Sequence, residues 1–218
     1  MTMNRNPYET RLIGLDFVYE MADLRDLMIS FNVTPLLLGG TLLGWYRECT
    51  IISHTTDVDF AVLHEEHSDA LVDNLVKSGK FVTLWLLGQY DECFEMSVYR
   101  KGIKIDIFYI YRNASQDHSF LCGQKLWAKE EVLYNYPVVS NNNTCTADFH
   151  GRLMYIPCNS LDVIEAEYGK GWDVDSHSST YSGLAMGKNI IETKKWPEGK
   201  EKQKVRYIHE NADRLSWK

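Results

Sequence analysis

The sequence lacks any long hydrophobic run and is poor in positive charge. No apolar stretch approaches the roughly 20 residues that a transmembrane helix needs, and the first residues, MTMNRNPYETR, lack the apolar core of a signal peptide. A formal net charge of -7 argues against nonspecific nucleic-acid binding, which depends on many contacts between phosphates and Lys or Arg. We therefore expect no nucleic-acid partner and no transmembrane segment in this chain.

Metal-binding cysteine motifs and internal repeats are also missing. The five cysteines show no CxxC spacing, which argues against a zinc site, and their odd number leaves at least one unpaired in a monomer. With 218 residues and 44% hydrophobic content, the chain is long enough for one well-cored domain. We predict a catalytic domain over residues 1–172, with its core at 36–172. A C-terminal extension over 173–218 packs on this domain or trails from it.

Three aspartates in predicted strands form a candidate metal site. Asp57 and Asp59 are two residues apart, so in a strand both side chains project from the same face and can share one cation. Asp106 lies within the strand pattern Ile103–Tyr111, where a bare charge costs several kcal/mol unless it is paired or metal-bound. An ion pair with Lys or Arg is the alternative. Three carboxylates suit Mg²⁺ or Mn²⁺ better than zinc.

A glycine pair precedes these aspartates. The apolar strand at Leu36 ends in Gly39, Gly40 and Thr41, which open a short predicted helix. Glycine lets the backbone approach a ligand closely, and the N–H groups at a helix start attract phosphate. The segment Leu36–Val62 therefore predicts a combined phosphate and metal site.

The rest of the chain predicts an α/β (α+β) fold, a mixed sheet flanked by helices in a single domain. Apolar periodicity indicates helices over Tyr8–Phe31, Ser68–Lys77 and Ser160–Tyr168, strands over Phe81–Leu87 and Arg152–Ile156, and a hairpin over Phe94–Tyr111. Periodicity weakens from Arg112 to Asn143, where cations and aromatics either hold phosphate and a base or sugar, or simply pack at the surface: Lys125, Trp127, Lys129, Tyr134 and Tyr136. The segment Asp173–Asp175 is predicted to be a loop, and 173–218 a poorly packed extension.

Several ordered blocks resemble the LicD and fukutin family of the nucleotidyltransferase superfamily, with fukutin the most similar member. The blocks are GGTLLGWYREC, IISHTTDVDF, IKIDIFYIY and the segment Ile156–Trp172, so the resemblance extends over about Leu36–Trp172. It implies a nucleotidyltransferase-like fold and a Mg²⁺- or Mn²⁺-dependent enzyme of protein O-mannosyl glycosylation. Such an enzyme moves a phosphorylated alcohol, ribitol 5-phosphate, from a CDP-alcohol to a sugar hydroxyl of a glycan or glycoprotein and releases CMP.

The same resemblance implies partner glycosyltransferases and the Golgi lumen, where family members generally work behind an N-terminal anchor that this sequence does not show. Within the site, Asp57, Asp59 and Asp106 are expected to bind the cations, and Asp106 also to accept the proton of the attacking hydroxyl. The backbone of Gly39, Gly40 and Thr41 is expected to hold phosphate oxygens.

Two further residues are candidates for substrate binding. Arg47 matches the family's arginine and is expected to contact the donor phosphate, although a structural ion pair explains it equally well. His54 either orients a ligand or is a packed, hydrogen-bonded histidine. Ser53 stands where the family usually has proline, which leaves the shape of this loop open.

Other functions remain compatible with these residues. The fold could serve as a noncatalytic glycan- or nucleotide-binding module, but an idle cluster of like charges only costs stability. The enzyme could instead transfer phosphocholine, as LicD-type members do. A classical nucleotidyltransferase that moves NMP from an NTP needs the same metal site, and only the blocks after Asp106 argue against it.

Overall fold

A mixed sheet flanked by helices forms the centre of the protein, as the sequence predicts. The structure, a computed structural model, describes residues 11–113, 118–125, 128–177, 187–199 and 204–207. The helices in these ranges are α1 (Phe17–Ile29), α2 (Gly39–Glu48), α3 (Asp69–Lys77) and α4 (Ser160–Tyr168). The strands are β1 (Leu36–Leu37), β2 (Asp57–Leu63), β3 (Val82–Leu87), β4 (Glu95–Arg100), β5 (Ile103–Asn113), β6 (His118–Lys125), β7 (Glu130–Pro137), β8 (Thr144–Phe149), β9 (Arg152–Pro157), β10 (Ile190–Lys195) and β11 (Val205–Tyr207).

The long strand β5 connects the two parts of the sheet. Its N-terminal part lies between the parallel neighbour β2 and the antiparallel neighbour β4, and its last residues pair with β6. From β5 the sheet continues through β6, β7 and β10 on one side, through β2, β1, β9 and β8 on the other, and through β4, β3 and β11 along a branch. The β2–β5 register places Asp59 directly opposite Asp106 and Asp57 opposite Lys104.

The helices begin and end where local chemistry predicts. Ser68 caps α3, its hydroxyl accepting a hydrogen bond from the N–H of Leu71 (3.2 Å). Gly169 ends α4 with a positive φ of 76°, a conformation that glycine adopts without strain. The helix predicted over Tyr8–Phe31 is shorter, Phe17–Ile29, and residues 1–10 lie outside the described part of the chain.

The core lies beneath the predicted apolar faces. Met21, Leu24 and Met28 of α1 are fully buried, which confirms the helical stripe read from the sequence. Val58 and Phe60 of β2 are buried on the sheet, as the alternation with Asp57 and Asp59 requires. A sheet face buried on one side leaves the opposite side chains of the same strands free to form a site.

The weak periodicity from Arg112 to Asn143 conceals two strands. Strands β6 and β7 form an antiparallel hairpin there, and Tyr134 and Tyr136 of β7 are buried alternately with partly buried neighbours. The period of two is present in the sequence of β7, but the many polar residues of the segment hid it. Trp127 lies outside the described residues.

The C-terminal segment contributes two strands to the sheet. In its described parts, β10 pairs with β7 and β11 pairs with β3, both antiparallel. These parts are hydrogen-bonded to the sheet, and every side chain of β10 after Ile190 is exposed. Asp173–Asp175 has neither helix nor strand structure, which confirms the predicted loop. The domain boundary at 172/173 stays a prediction.

Two disulfides connect parts of the sheet. Cys93, just before β4, is bonded to Cys122 of β6, and Cys145 of β8 is bonded to Cys158, just after β9. Cys49 at the end of α2 is unpaired and exposed. None of the helices in the described ranges is long and apolar enough to cross a membrane.

Candidate active site

The structure brings the three predicted aspartates together. Because β2 and β5 are adjacent and parallel, Asp57, Asp59 and Asp106 project from the same face, and one carboxylate oxygen of each lies within 4.8 Å of those of the others. Burial, followed by the charges of Asp57 and Asp106, raises the pKa of Asp59 well above its usual range. A cluster of hard oxygen donors that repel one another fits the ligand preference of Mg²⁺ or Mn²⁺.

A lysine missed by the sequence reasoning lies among these carboxylates. The Lys104 ammonium is 2.5 Å from Asp106 Oδ2 and 3.6 Å from Asp57 Oδ2, and the Ser97 hydroxyl donates to Asp106 Oδ1. Burial alone lowers the pKa of Lys104, but the charges of Asp106 and Asp57 outweigh it and raise the pKa above its ordinary value. The signal in the sequence was Lys104 standing two residues before Asp106, on the same face of β5.

Gly39 and Thr41 support Asp59 directly. A Cβ atom at Gly39, whose φ is +53°, would lie 2.8 Å from Asp59 Oδ2, so only glycine leaves room for this carboxylate. The Thr41 hydroxyl accepts a hydrogen bond from the N–H of Asp59 (2.8 Å). The N–H of Thr41 donates to the carbonyl of Leu38 (3.1 Å) and is therefore not available to phosphate. Gly39 and Gly40, at the start of α2, line the cavity, and their role as phosphate donors stays a prediction.

Arg47 and His54 meet in an ionic cluster with the loop after α4. One Arg47 nitrogen, Nη2, lies 2.7 Å from Glu48 Oε1 and 2.8 Å from Asp175 Oδ1, and Nη1 donates to the carbonyl of Trp172 (3.1 Å). His54 Nε2 is 3.2 Å from Asp175 Oδ1, and its ring stacks on that of His177. The structural ion pair considered for Arg47 is thus present. Asp175, which the sequence placed only in a loop, joins the two candidate residues.

A cavity of about 470 Å³ connects the two clusters. Its lining includes the three aspartates, Lys104, Arg47 and His54, together with side chains of β3, β4, β6 and β7. Aromatic and apolar residues cover part of this lining, namely Trp85, Leu87, Phe108, Leu121, Tyr134, Tyr136 and Trp172. One cavity therefore offers carboxylates, cations and aromatic surface to a single ligand.

Two buried glutamates also line the cavity and were missed from the sequence. Burial, reinforced by the charge of Asp106, raises the pKa of Glu95 to about 8. Burial likewise raises the pKa of Glu167, whose Oε2 accepts a hydrogen bond from the Tyr136 hydroxyl (2.8 Å). Their only sequence signal was a carboxylate at an element otherwise rich in apolar residues, Glu95 in β4 and Glu167 in α4.

The chain was compared with models of known protein families. Residues 32–159 match the model of the family described as LicD/FKTN/FKRP, nucleotidyltransferase domain. The chain belongs to this family. The match contains β1, α2, β2 and β5, which carry the glycine pair and the three aspartates. Asp175 and Glu167 lie beyond it.

Curated relatives extend the similarity to most of the chain. Two uncharacterized proteins of Caenorhabditis elegans are 31% and 34% identical over 85% and 86% of this chain, and over 50% and 49% of their own length. A mouse protein named ribitol-5-phosphate transferase FKTN is 29% identical over 80% of this chain and 35% of its own length. The chain spans half or less of the curated relatives that it matches. Similarity to the LicD and fukutin family, inferred from the sequence blocks, is thereby confirmed.

Proposed function

We propose that this protein is a metal-dependent transferase that moves a phosphorylated alcohol, ribitol 5-phosphate, from a CDP-alcohol to a sugar hydroxyl of a glycan. In this reaction the bond between the transferred phosphorus and the oxygen that links it to CMP breaks. A bond between that phosphorus and the acceptor oxygen forms, and CMP leaves. The observation that carries the proposal is the convergence of three strand carboxylates on one cavity that also contains Lys104 and Arg47.

The carboxylates are the proposed ligands of Mg²⁺ or Mn²⁺. Asp57, Asp59 and Asp106 offer oxygen atoms close enough to share one ion, and their mutual repulsion is relieved by a cation. When bound, the divalent ion neutralises phosphate charge and aligns the diphosphate for displacement. Thr41 and Gly39 keep Asp59 in position through the hydrogen bond and the free space described above.

Other residues of the cavity bind and orient the substrates. Gly39, at the start of α2, adjoins Asp59, and Arg47 lies eight residues or about 12 Å further along the same helix, where a guanidinium suits a second phosphate or another anionic group. Tyr134 and Phe108 offer aromatic surface to the base of the donor. The acceptor hydroxyl must lose a proton as it attacks. Both oxygens of Asp106 accept short hydrogen bonds, whereas Asp57 has only longer contacts, with Thr55 (3.4 Å) and Lys104 (3.6 Å). The side chain of Asp57 is 34% exposed, so we assign this step to Asp57.

The disulfides support a place in an oxidising compartment such as the Golgi lumen. Cys93–Cys122 and Cys145–Cys158 persist in secretory compartments and are rare where thiols are kept reduced. A glycoprotein acceptor and partner glycosyltransferases belong to the same compartment and are part of the proposal.

The test is release of CMP from CDP-ribitol and from CDP-choline with Mg²⁺ or Mn²⁺, offering GalNAc-terminated and other simple glycan acceptors. We expect release from CDP-ribitol that needs both the acceptor and the metal and that EDTA abolishes. An Asp73→Asn variant, which changes an exposed aspartate of α3, serves as the matched control and should react like the wild type. Release from CDP-choline alone would replace ribitol by choline as the transferred alcohol. If the folded protein releases no CMP and binds CDP neither with nor without metal, the noncatalytic module becomes the better description.

A further inference from the structure

The carboxylate cluster has a cation of its own. Lys104 and Asp106 stand on the same face of β5, and Asp57 lies opposite Lys104 on β2. The ammonium is therefore held between two of the three proposed metal ligands, 2.5 Å from Asp106 and 3.6 Å from Asp57. Only 23% of the Lys104 side chain is exposed, so the two carboxylates rather than water stabilise its ammonium group.

A metal ion and Lys104 compete for the carboxylate of Asp106. Its Oδ1 accepts from Ser97 and its Oδ2 from Lys104, so both oxygens are engaged. A divalent ion among the same three carboxylates lies within a few ångströms of the ammonium, where like charges repel strongly in a poorly hydrated site. Either the ion is excluded or the ammonium moves away.

We infer that Lys104 is the built-in cation of the cluster, which a divalent ion displaces, and that the displaced ammonium then contacts the donor diphosphate. The inference rests on the proposed metal site and deepens it. Lys104 lines the same cavity as Arg47, so its side chain borders open space into which it can turn. In this arrangement one lysine stabilises the carboxylates before metal binding and phosphate afterwards.

Two affinities with opposite responses test the inference. In Lys104→Met, the affinity for Mn²⁺ alone should rise roughly tenfold, because a repelling charge is gone. The affinity for CDP at saturating Mn²⁺ should fall roughly tenfold, because a charge-assisted hydrogen bond is lost. If Lys104 had only a structural role, its replacement would weaken the binding of both Mn²⁺ and CDP. Lys104→Arg keeps the charge and should bind Mn²⁺ like the wild type.

The matched control is Lys77→Met, which changes an exposed lysine of α3 and should leave both affinities unchanged. Thermal unfolding gives a second measurement for a variant that is unstable without metal. Lys104→Met should melt at a lower temperature than the wild type in EDTA and gain more from added Mn²⁺.

The outcomes separate this inference from the proposed function. If the wild type binds Mn²⁺ and Lys104→Met binds it equally or more weakly, the competition is refuted and the metal site stands. If neither protein binds Mn²⁺, the metal site and the competition both fail. Tighter Mn²⁺ binding with unchanged CDP affinity would refute the contact between the lysine and the diphosphate.

Discussion

At one end of the cavity Asp57, Asp59 and Asp106 stand on neighbouring strands, whereas at the other end Arg47 and His54 meet Asp175, which is 128 and 121 positions away in sequence. Strand register determines which side chains meet at the first end, because a shift of one residue would turn them to the other face of the sheet. The second end is built by a loop that folds back over α2. Side chains on paired strands have few alternatives, so the carboxylate end is expected to be the more rigid and the cationic end the more adaptable.

The largest effect is expected from Asp59→Asn at the carboxylate end. Loss of one charged ligand should lower the rate of CMP release roughly a thousandfold. Asn keeps the shape of the side chain, and removal of one of three repelling charges should leave the free energy of unfolding unchanged or higher. Steady-state kinetics and thermal unfolding check the two expectations. Activity within tenfold of the wild type would remove Asp59 from the metal site.

The neighbouring change Asp106→Asn should differ in its effect on stability. It leaves Lys104 without its nearest carboxylate, and breaking a buried pair on one side costs about 3 kcal/mol. From the sequence alone, this variant is expected to lose turnover and to keep its fold. Denaturant unfolding in EDTA measures the loss. Equal stability of Asp106→Asn and Asp59→Asn would contradict the pairing with Lys104.

At the cationic end, Arg47→Lys should weaken donor binding rather than the chemical step. Lysine keeps the charge but loses the planar fork, so we expect the apparent KM for the donor to rise roughly tenfold with little change in kcat. Arg152→Lys, at an exposed position, is the matched control. A fall in kcat at constant KM would place Arg47 at the reacting phosphorus instead.

A smaller effect of opposite sign is expected from Asp175→Asn. In the proposed function, the Asp175 carboxylate competes with the donor phosphate for Arg47 and His54. Its side chain is 43% exposed, and ion pairs with an exposed partner contribute little to stability. CDP should therefore bind roughly threefold more tightly to the variant. Asp173→Asn in the same loop is the control. Titration calorimetry measures both, and weaker CDP binding in Asp175→Asn would show that the loop supports the site rather than occupying it.

The smallest effect concerns Glu167, which belongs to neither end. Burial raises its pKa in the folded protein, so as pH rises above its ordinary value of 4.5 the unfolded chain loses this proton first. The wild type should then lose stability relative to Glu167→Gln, which keeps an acceptor for Tyr136, by about 0.5 kcal/mol. Melting temperatures of both proteins from pH 4 upward test this. A difference that does not change with pH would contradict the raised pKa.

Short-range patterns in the sequence were enough to predict most residues of the carboxylate end. Aspartates two residues apart in a strand, a third in the strand pattern of β5 and a glycine pair at a strand-to-helix junction are all short-range signals, and they also carried the resemblance to the family. The hairpin of β6 and β7 was not predicted because the polar residues of this segment weakened the alternation on which strand prediction relies.

By itself, the sequence determined the mixed α/β class, the helical stripes of α1, α3 and α4 and the membership in the LicD and fukutin family, because these depend on periodicity and contiguous motifs. Only the tertiary structure decided that Lys104 lies between Asp57 and Asp106, that Asp175 pairs with Arg47, and that Glu95 and Glu167 enter the cavity. Apart from the spacing of Lys104 and Asp106 on β5, these contacts join residues from different elements through sheet register and loop packing, which leave no mark in the local spacing of residues.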